Sequence, residues 1–136
     1  MHISARADYA VRALLEIAAS PDRHGRADEI VARQHMPRSF VEAILLDLRR
    51  AGLVHAVRSR GGGYTLAEDP STISIGMIVR AVDGPLTRIR GLEPAEIEYD
   101  GAAKHLSELW QRAGSTVGDV LDHTSLQDVL DGRLSA

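Results

Sequence analysis

The chain has 136 residues, of which 44% are hydrophobic and 26% charged, as is ordinary for one soluble globular domain with a helical extension. It contains no cysteine, which excludes disulfides, thiol redox switches and thiolate metal sites. The N-terminus has no signal-peptide pattern and no apolar run approaches the roughly 18 residues that a membrane span needs, so we expect a cytoplasmic protein with no membrane partner.

The net charge of -3 is unevenly distributed. Residues 1–66 carry ten arginines against seven acidic residues, whereas residues 67–136 carry six basic residues against twelve acidic ones. This asymmetry favours phosphate contacts in the first half of the chain and a different role for the second. A DNA-packaging protein without sequence preference should be basic throughout, so the acidic second half argues against that class.

Three helices are predicted in the first fifty residues. Ser4 can cap a first helix that ends near Ser20, and its apolar residues recur at i, i+3 and i+4 spacing. After a polar loop over residues 22–25, a second helix opens with two acidic residues, and the turn at Met36-Pro37 leads into a third. The apolar stripe of the third helix consists of Val41, Ile44, Leu45 and Leu48. Two helices joined by a short turn predict a helix-turn-helix.

A glycine turn that carries arginines follows the third helix. Residues 58–64 read Arg-Ser-Arg-Gly-Gly-Gly-Tyr and lie between two predicted strands, residues 53–57 and 64–66. Glycine can take the positive φ values of a tight hairpin turn, and arginine supplies charge for phosphates or a minor groove. A surface hairpin with solvated arginines is the alternative for the loop alone. Its position directly behind the helix-turn-helix favours a DNA-binding wing.

A fourth helix and a loop are predicted after the hairpin. Apolar residues repeat with helical spacing behind Ser74, and Gly84-Pro85 stops that helix in the expected C-terminal way. Residues 86–101 show weak periodicity and several acids, which indicates a connecting loop.

A long apolar stripe over residues 102–121 predicts a helix of about five turns. The small N-terminal domain cannot cover such a helix, so we expect it to pair with its symmetry mate; folding back onto its own domain is the alternative. The residues expected at this dimer interface are Leu106, Trp110, Ala113, Val117, Val120 and Leu121. A last short helix is predicted to begin at Thr124, with a capping box to Gln127, and to end at Gly132.

The predicted fold is therefore mostly α with a small β-hairpin. Residues 1–85 should form a winged helix-turn-helix DNA-binding domain, and residues 86–101 a connecting loop. Residues 102–136 should form a dimerisation helix and a short C-terminal helix.

Several segments, in chain order, carry a family resemblance: Asp8 to Leu15, Ser39 to Leu45, Ala51 to Val54, Arg60 to Leu66 and Val79 to Pro85. Together they resemble the IscR/NsrR/CymR family of bacterial winged helix-turn-helix transcriptional regulators. The resemblance implies a homodimer paired through the long C-terminal helix, which binds a partly palindromic operator on double-stranded DNA and usually represses. It also implies that the third helix enters the major groove and that the wing reaches towards the minor groove.

The chain departs from this family in one respect. Members that sense through an iron-sulfur cluster hold it with three cysteines in the loop before the dimer helix, here residues 86–104, and this chain has none. Asp8 stands where some members use a carboxylate ligand, but one carboxylate cannot hold a cluster without sulfur ligands, so an acid at a helix N-terminus is the preferred role. We therefore expect no cofactor, and an effector metabolite or a partner protein as the signal.

The expected DNA-binding residues fall in the third helix and the wing. Base edges are expected to meet Ser39, Phe40, Glu42 and Ala43. The DNA backbone or minor groove is expected to meet Arg38, Arg58, Ser59, Arg60 and Gly61. A carboxylate at Glu42 can accept only from a donor such as cytosine N4, so it would restrict sequence choice more than add affinity. The alternative for Glu42 is a solvated helix face or an ion pair with Arg38 at i,i+4 spacing.

Other chemistries find little support. The six histidines form no i,i+4 pair and no compact motif with carboxylates, so we expect no metal site. The triple glycine lacks the Lys-Ser/Thr of a phosphate-binding loop, and no nucleophile elbow occurs. We expect a sequence-specific DNA-binding regulator and not an enzyme. The alternative is a small-molecule-binding or enzyme-associated regulatory module for which DNA binding is secondary.

Overall fold

The computed structural model describes residues 2–59 and 61–134, and these residues form six α-helices and three short strands. The helices are α1 (Ala5–Ala19), α2 (Ala27–Gln34), α3 (Arg38–Arg50), α4 (Ile75–Asp83), α5 (Leu106–Asp122) and α6 (Leu126–Asp131). The strands are β1 (His24–Gly25), β2 (Val54–Ala56) and β3 (Tyr64–Leu66), which form an antiparallel sheet in the order β1-β3-β2. This is the mostly α architecture that the sequence predicts. No helix in the described ranges is both long and apolar enough to cross a membrane.

The sheet contains one strand more than the sequence predicts. Residues 22–25 are expected to be a polar loop, but His24 and Gly25 pair with Thr65 and Tyr64 of β3. A strand of two residues is too short to show the alternation by which strands are recognised. Gly25 is buried, and a Cβ on it would lie 3.0 Å from Cγ1 of Ile17, so the absence of a side chain lets the sheet approach α1 closely.

One hydrophobic core joins the helices to the sheet, and α1 lies at its centre. This helix contacts α3, α4 and α6. Its fully buried face consists of Ala7, Ala10, Ala13, Leu14 and Ile17. Three alanines on one face allow neighbouring helices to approach closely, while the larger side chains of the core come from the surrounding elements. Those side chains include Ile30, Val41, Ile44, Leu45, Leu48, Val54, Ile73, Ile78 and Leu126.

Three helix starts test the predicted caps. The hydroxyl of Ser4 accepts from the N–H of Ala7 at 3.0 Å, and that of Ser74 accepts from the N–H of Met77 at 3.1 Å, so both of these caps are confirmed. The capping box of the last helix is displaced by one residue. Ser125 and Asp128 form it, each side chain accepting from the other's N–H at 3.0 Å. Thr124 instead donates its hydroxyl to the carbonyl of Val120 at 2.7 Å.

The long helix begins later than the sequence predicts. Residues 101–103 form a single 3-10 turn, and α5 starts at Leu106 instead of near residue 102. The connecting segment also contains a 3-10 turn at Pro94–Glu96. The hydroxyl of Ser107 donates to the carbonyl of Pro94 at 2.8 Å, so the start of α5 is attached to this segment.

An ion pair joins the other end of α5 to α4. Arg80 donates to both carboxylate oxygens of Asp122, with N···O distances of 2.5 and 3.0 Å. This hydrogen bonding holds the pKa of Asp122 below its usual value. The backbone N–H of Ile75 also donates to the carbonyl of Thr124 at 2.8 Å. The corner between α5 and α6 is therefore fixed to the start of α4.

Gly76 gives this joint its space. A Cβ on Gly76 would overlap the carboxylate of Asp122 and lie 3.0 Å from a guanidinium nitrogen of Arg80. Only glycine at this position therefore leaves the ion pair in place.

Gly76→Ala and Gly118→Ala should change stability in opposite directions. Alanine is favoured over glycine inside a helix by up to about 1 kcal/mol. A Cβ at Gly118 makes only ordinary contacts of 3.6 Å or more, so Gly118→Ala should raise the free energy of unfolding. Gly76→Ala should lower it, because helix preference is weaker at the second residue of a helix and the methyl group displaces Asp122 from Arg80. Urea unfolding followed by circular dichroism measures both changes.

The cost of Gly76→Ala should also depend on pH in one direction. Because the folded pKa of Asp122 is depressed, the ion pair stabilises the fold above the unfolded pKa of that carboxyl, and this contribution is lost as the pH falls through the folded pKa. The stability gap between the parent and Gly76→Ala should therefore narrow between pH 7 and about pH 3. A gap that stays constant would show that the cost does not arise from the ion pair.

Candidate nucleic-acid interface

The turn between α2 and α3 is held in place by α1. His35 ends α2 with a left-handed φ of 54°, and the next residue, Met36, is buried. Arg12 on α1 donates from Nε to the side-chain oxygen of Gln34 at 3.0 Å and from a terminal nitrogen to the carbonyl of Gln34 at 2.5 Å. These bonds attach the last residue of α2 to α1, so the direction in which α3 leaves the turn is fixed by the core.

One side of α3 is exposed and the other is buried. The buried side is the predicted stripe of Val41, Ile44, Leu45 and Leu48. The exposed side carries all five predicted DNA-contact residues of this helix, Arg38, Ser39, Phe40, Glu42 and Ala43. Leu46, Arg49 and Arg50 are exposed on the same helix and were not singled out by the sequence. The structure thus brings the predicted α3 residues onto one accessible surface.

Glu42 is paired with Arg38 in this structure. Nε of Arg38 lies 3.0 Å from Oε1 of Glu42, and both side chains are more than half exposed. This is the i,i+4 arrangement that the sequence leaves open as an alternative. Exposed pairs of this kind contribute roughly 0.3–0.5 kcal/mol, so either residue can exchange its partner for a base or a phosphate at little cost.

Phe40 is oriented by contacts with α1. Its ring meets the ring of Tyr9 edge-on, with centroids 5.8 Å apart and an interplanar angle of 84°. The guanidinium of Arg12 lies 5.3 Å from the centroid of the Tyr9 ring, so a cation-π contact supports the pair from behind. The sequence analysis did not assign these roles to Tyr9 and Arg12. Their i,i+3 spacing on α1 was the one available signal.

The wing, residues 57–63, is a tight hairpin built on three glycines. The N–H of Val57 donates to the carbonyl of Gly63 at 2.9 Å, and the N–H of Gly62 donates to the carbonyl of Ser59 at 3.1 Å. Gly61, Gly62 and Gly63 have φ values of 82°, 78° and 110°, which other residues rarely adopt. The expected use of glycine in this turn is confirmed.

The predicted contact residues of the wing lie at its tip. Arg58, Ser59 and Gly61 are exposed, while Arg60 lies outside the described residues. The ring nitrogen Nε2 of His24 lies 2.7 Å from the carbonyl oxygen of Gly62 and donates to it, so β1 supports the wing from the side of the core. This contact depends on the strand that the sequence analysis missed.

The wing and α3 face each other across a groove of about 460 Å³. Arg38, Glu42 and Leu46 line it from α3, and Gly61 and Gly63 line it from the wing. Helix and wing are therefore two walls of one continuous surface, and the predicted contact residues that the structure describes belong to it or border it.

The predicted dimer residues on α5 differ in exposure. Ala113 and Val120 are exposed, Val120 to 61%; Leu106, Trp110 and Val117 are half-buried. Leu121 packs against the core of its own domain. Leu109, which was not among the predicted interface residues, is 55% exposed beside them. The opposite face of α5 carries Gly114 and Gly118, and a Cβ on Gly114 would lie 3.1 Å from Oγ1 of Thr87.

Comparisons with known proteins agree with this geometry. A family model, Rrf2, described as an iron-dependent transcriptional regulator, matches residues 3–132. This chain belongs to the Rrf2 family. An HTH-type transcriptional regulator of Mycobacterium tuberculosis is 37% identical over 135 residues, which cover 98% of this chain and 84% of that protein. Membership confirms that this Rrf2-family protein is a DNA-binding regulator and not an enzyme.

Relatives from both parts of the predicted family are similar to the chain. CymR of Bacillus subtilis is 33% identical over 133 residues, covering 95% of this chain and 89% of CymR. IscR of Photobacterium profundum is 33% identical over 134 residues, covering 96% of this chain and 76% of IscR. The solved structure of Bacillus subtilis CymR, a global cysteine regulator, matches with a TM-score of 0.79 at 29% identity and covers 97% of this chain and 98% of that one. The predicted family and fold are confirmed.

The residues of this Rrf2-family protein do not fit an iron-sulfur cluster. Such clusters are held chiefly by cysteine thiolates, and the sequence contains no cysteine. Among residues 2–59 and 61–134, no three histidine or acidic side chains lie together as a metal site would require. Asp8 forms an ion pair with Arg12 on its own helix at 3.2 Å. The iron dependence in the family description therefore has no donor set in this chain.

Gly63→Ala should disturb the wing far more than Gly62→Ala. Both residues have positive φ, so alanine strains the backbone at either position. A Cβ at Gly63 would lie 2.7 Å from Nε2 of His24 and 2.8 Å from the carbonyl oxygen of Gly25, whereas at Gly62 the nearest atom is 3.6 Å away. We expect Gly63→Ala to increase hydrogen exchange in β1 and β3, and Gly62→Ala to change exchange within the wing alone. Equal effects would mean that β1 does not support the wing.

Proposed function

We propose that this protein is a homodimeric transcriptional repressor that binds a partly palindromic operator. In each protomer α3 enters the major groove and the wing reaches towards the minor groove. The observation that carries this proposal is the shared surface of α3 and the wing, where the predicted contact residues are exposed beside one groove. A protein with this function works in the cytoplasm, where bacterial DNA lies.

The contacts divide into two kinds. Ser39, Phe40, Glu42 and Ala43 meet base edges and supply sequence choice. Arg38, Arg58, Ser59, Arg60 and Gly61 meet the backbone or the minor groove and supply affinity and register. On DNA, Glu42 exchanges its pairing with Arg38 for a base donor such as cytosine N4, which releases Arg38 to a phosphate.

The protomers pair along α5. The exposed apolar side chains of Leu109, Ala113 and Val120 lie on the face of α5 that turns away from its own domain. An exposed apolar stripe of this length on one helix is what a symmetric partner would cover.

A small metabolite or a partner protein controls DNA affinity in this proposal. An open groove of about 490 Å³ between α4, the segment after it and α5 supports control by a metabolite. Arg80, Thr87, Glu93 and Gln111 line this groove. Because the Arg80–Asp122 pair forms part of its wall, a bound molecule would act on the joint between α4 and α5.

Selection of genomic fragments with the purified protein should recover promoter sites with two symmetric half-sites. Arg58→Ala should then weaken binding to selected and random DNA alike, and should reduce the salt slope by about one phosphate contact per half-site. The matched control is Arg133→Ala, which removes the same charge at the far end of the chain, where it pairs with Asp131. Fluorescence anisotropy across a salt series measures both. Recovery of no common motif would contradict the proposed function.

Val120→Asp should dissociate the dimer, because it places an unpaired charge in an apolar seam. Val120 is 61% exposed in the single chain, so the substitution should leave the protomer folded. Ser115→Asp adds the same charge on the other side of α5 and should leave the dimer intact. Sedimentation velocity distinguishes the two variants. A dimer of parental strength in Val120→Asp would show that this face of α5 is not the interface.

A further inference from the structure

The one phenylalanine of the chain lies half exposed among polar side chains. Phe40 is 48% exposed on α3, between Ser39 and the Arg38–Glu42 pair. It borders a recess of about 210 Å³, the Phe40 recess, whose walls are Arg6, Ser39, Phe40, Ala43 and Ile44. Phenyl, methyl and sec-butyl groups make this recess apolar, although it opens on the surface that carries the other predicted base contacts.

The recess is formed before any ligand arrives. Tyr9 holds the ring of Phe40 edge-on, and Arg12 holds the ring of Tyr9. Arg6 forms an ion pair with Asp47 on α3, which fixes the wall contributed by α1. An exposed aromatic group that is oriented in this way loses little conformational freedom on binding.

The base edges in a major groove differ in what they offer to an apolar wall. Thymine alone presents a methyl group there, while cytosine and adenine present amino donors and guanine presents acceptors. A polar edge pressed into the recess would lose its hydrogen bonds to water without replacement, which is unfavourable. A methyl group entering the recess loses no hydrogen bond and buries apolar surface on both sides.

We propose that the Phe40 recess reads the 5-methyl group of a thymine in each half-site of the operator. This inference rests on the proposed function, which places α3 in the major groove. Phe40 and Ala43 lie three residues apart on the exposed side of α3 and provide the two walls that touch the methyl group. Glu42, between them in sequence, reads a donor, so adjacent positions of this helix select for different base features.

The first test changes the DNA and leaves the protein intact. Each thymine of the selected operator is replaced in turn by deoxyuridine, which lacks only the methyl group. Binding should weaken at one symmetric position by roughly fourfold per half-site, as expected for one buried carbon, and by roughly fifteenfold when both half-sites are changed. Other thymines should give changes below about twofold.

The second test repeats the measurement with Phe40→Ala and with Phe40→Leu. The deoxyuridine effect should disappear in Phe40→Ala, because the wall is gone, and should be retained in part by Phe40→Leu. Thermal unfolding of each variant controls for loss of the contact with Tyr9. Ala43→Ser, which keeps the size of the side chain and adds a hydroxyl, should also reduce the preference for thymine over deoxyuridine.

Two outcomes overturn the inference while operator binding stands. One is that no thymine position responds to deoxyuridine. The other is that the response is as large in Phe40→Ala as in the parent, which would place the methyl contact elsewhere on the protein. If selection recovers no operator at all, the proposed function fails and this inference fails with it.

Discussion

The packing of the small side chains of α1 against α3 and α4 is the constraint on which the rest of the molecule depends. Ala7, Ala10 and Ala13 are fully buried, so the helices around α1 lie close to it and cannot shift without opening a gap. The polar side of the same helix then carries Tyr9 and Arg12, which hold α3 and the end of α2. One helix thus supplies both the core and the support of the reading surface.

The second half of the chain depends on this core through few contacts. The ion pair between Arg80 and Asp122 and the backbone bonds near Thr124 attach the end of α5 to α4. Much of the rest of α5 is exposed or half-buried. This arrangement explains the charge asymmetry of the sequence, since the arginine-rich half forms the surface proposed to contact phosphates and the acidic half lies on the proposed dimer and control elements.

The elements with strong local signals could be predicted from the sequence, including the caps at Ser4 and Ser74 and the glycine wing. The features that could not be predicted depend on tertiary contacts. The strand at His24 exists because β3 is next to it. The last cap falls on Ser125 and not on Thr124 because the threonine hydroxyl is used by the end of α5. The exposed side of α3 followed from its periodicity, but the support of Phe40 by Tyr9 required the fold.

The attachment of α5 at both of its ends has a geometric consequence. Ser107 bonds the connecting segment, and Asp122 bonds α4, near opposite ends of a helix of 17 residues, roughly 25 Å long. In the proposed dimer the two helices would act as levers between the reading surfaces. A tilt of about 5° at one attachment would move the far end by roughly 2 Å. Bending of this size would alter whether two recognition helices match successive turns of a duplex, without any change inside either winged domain.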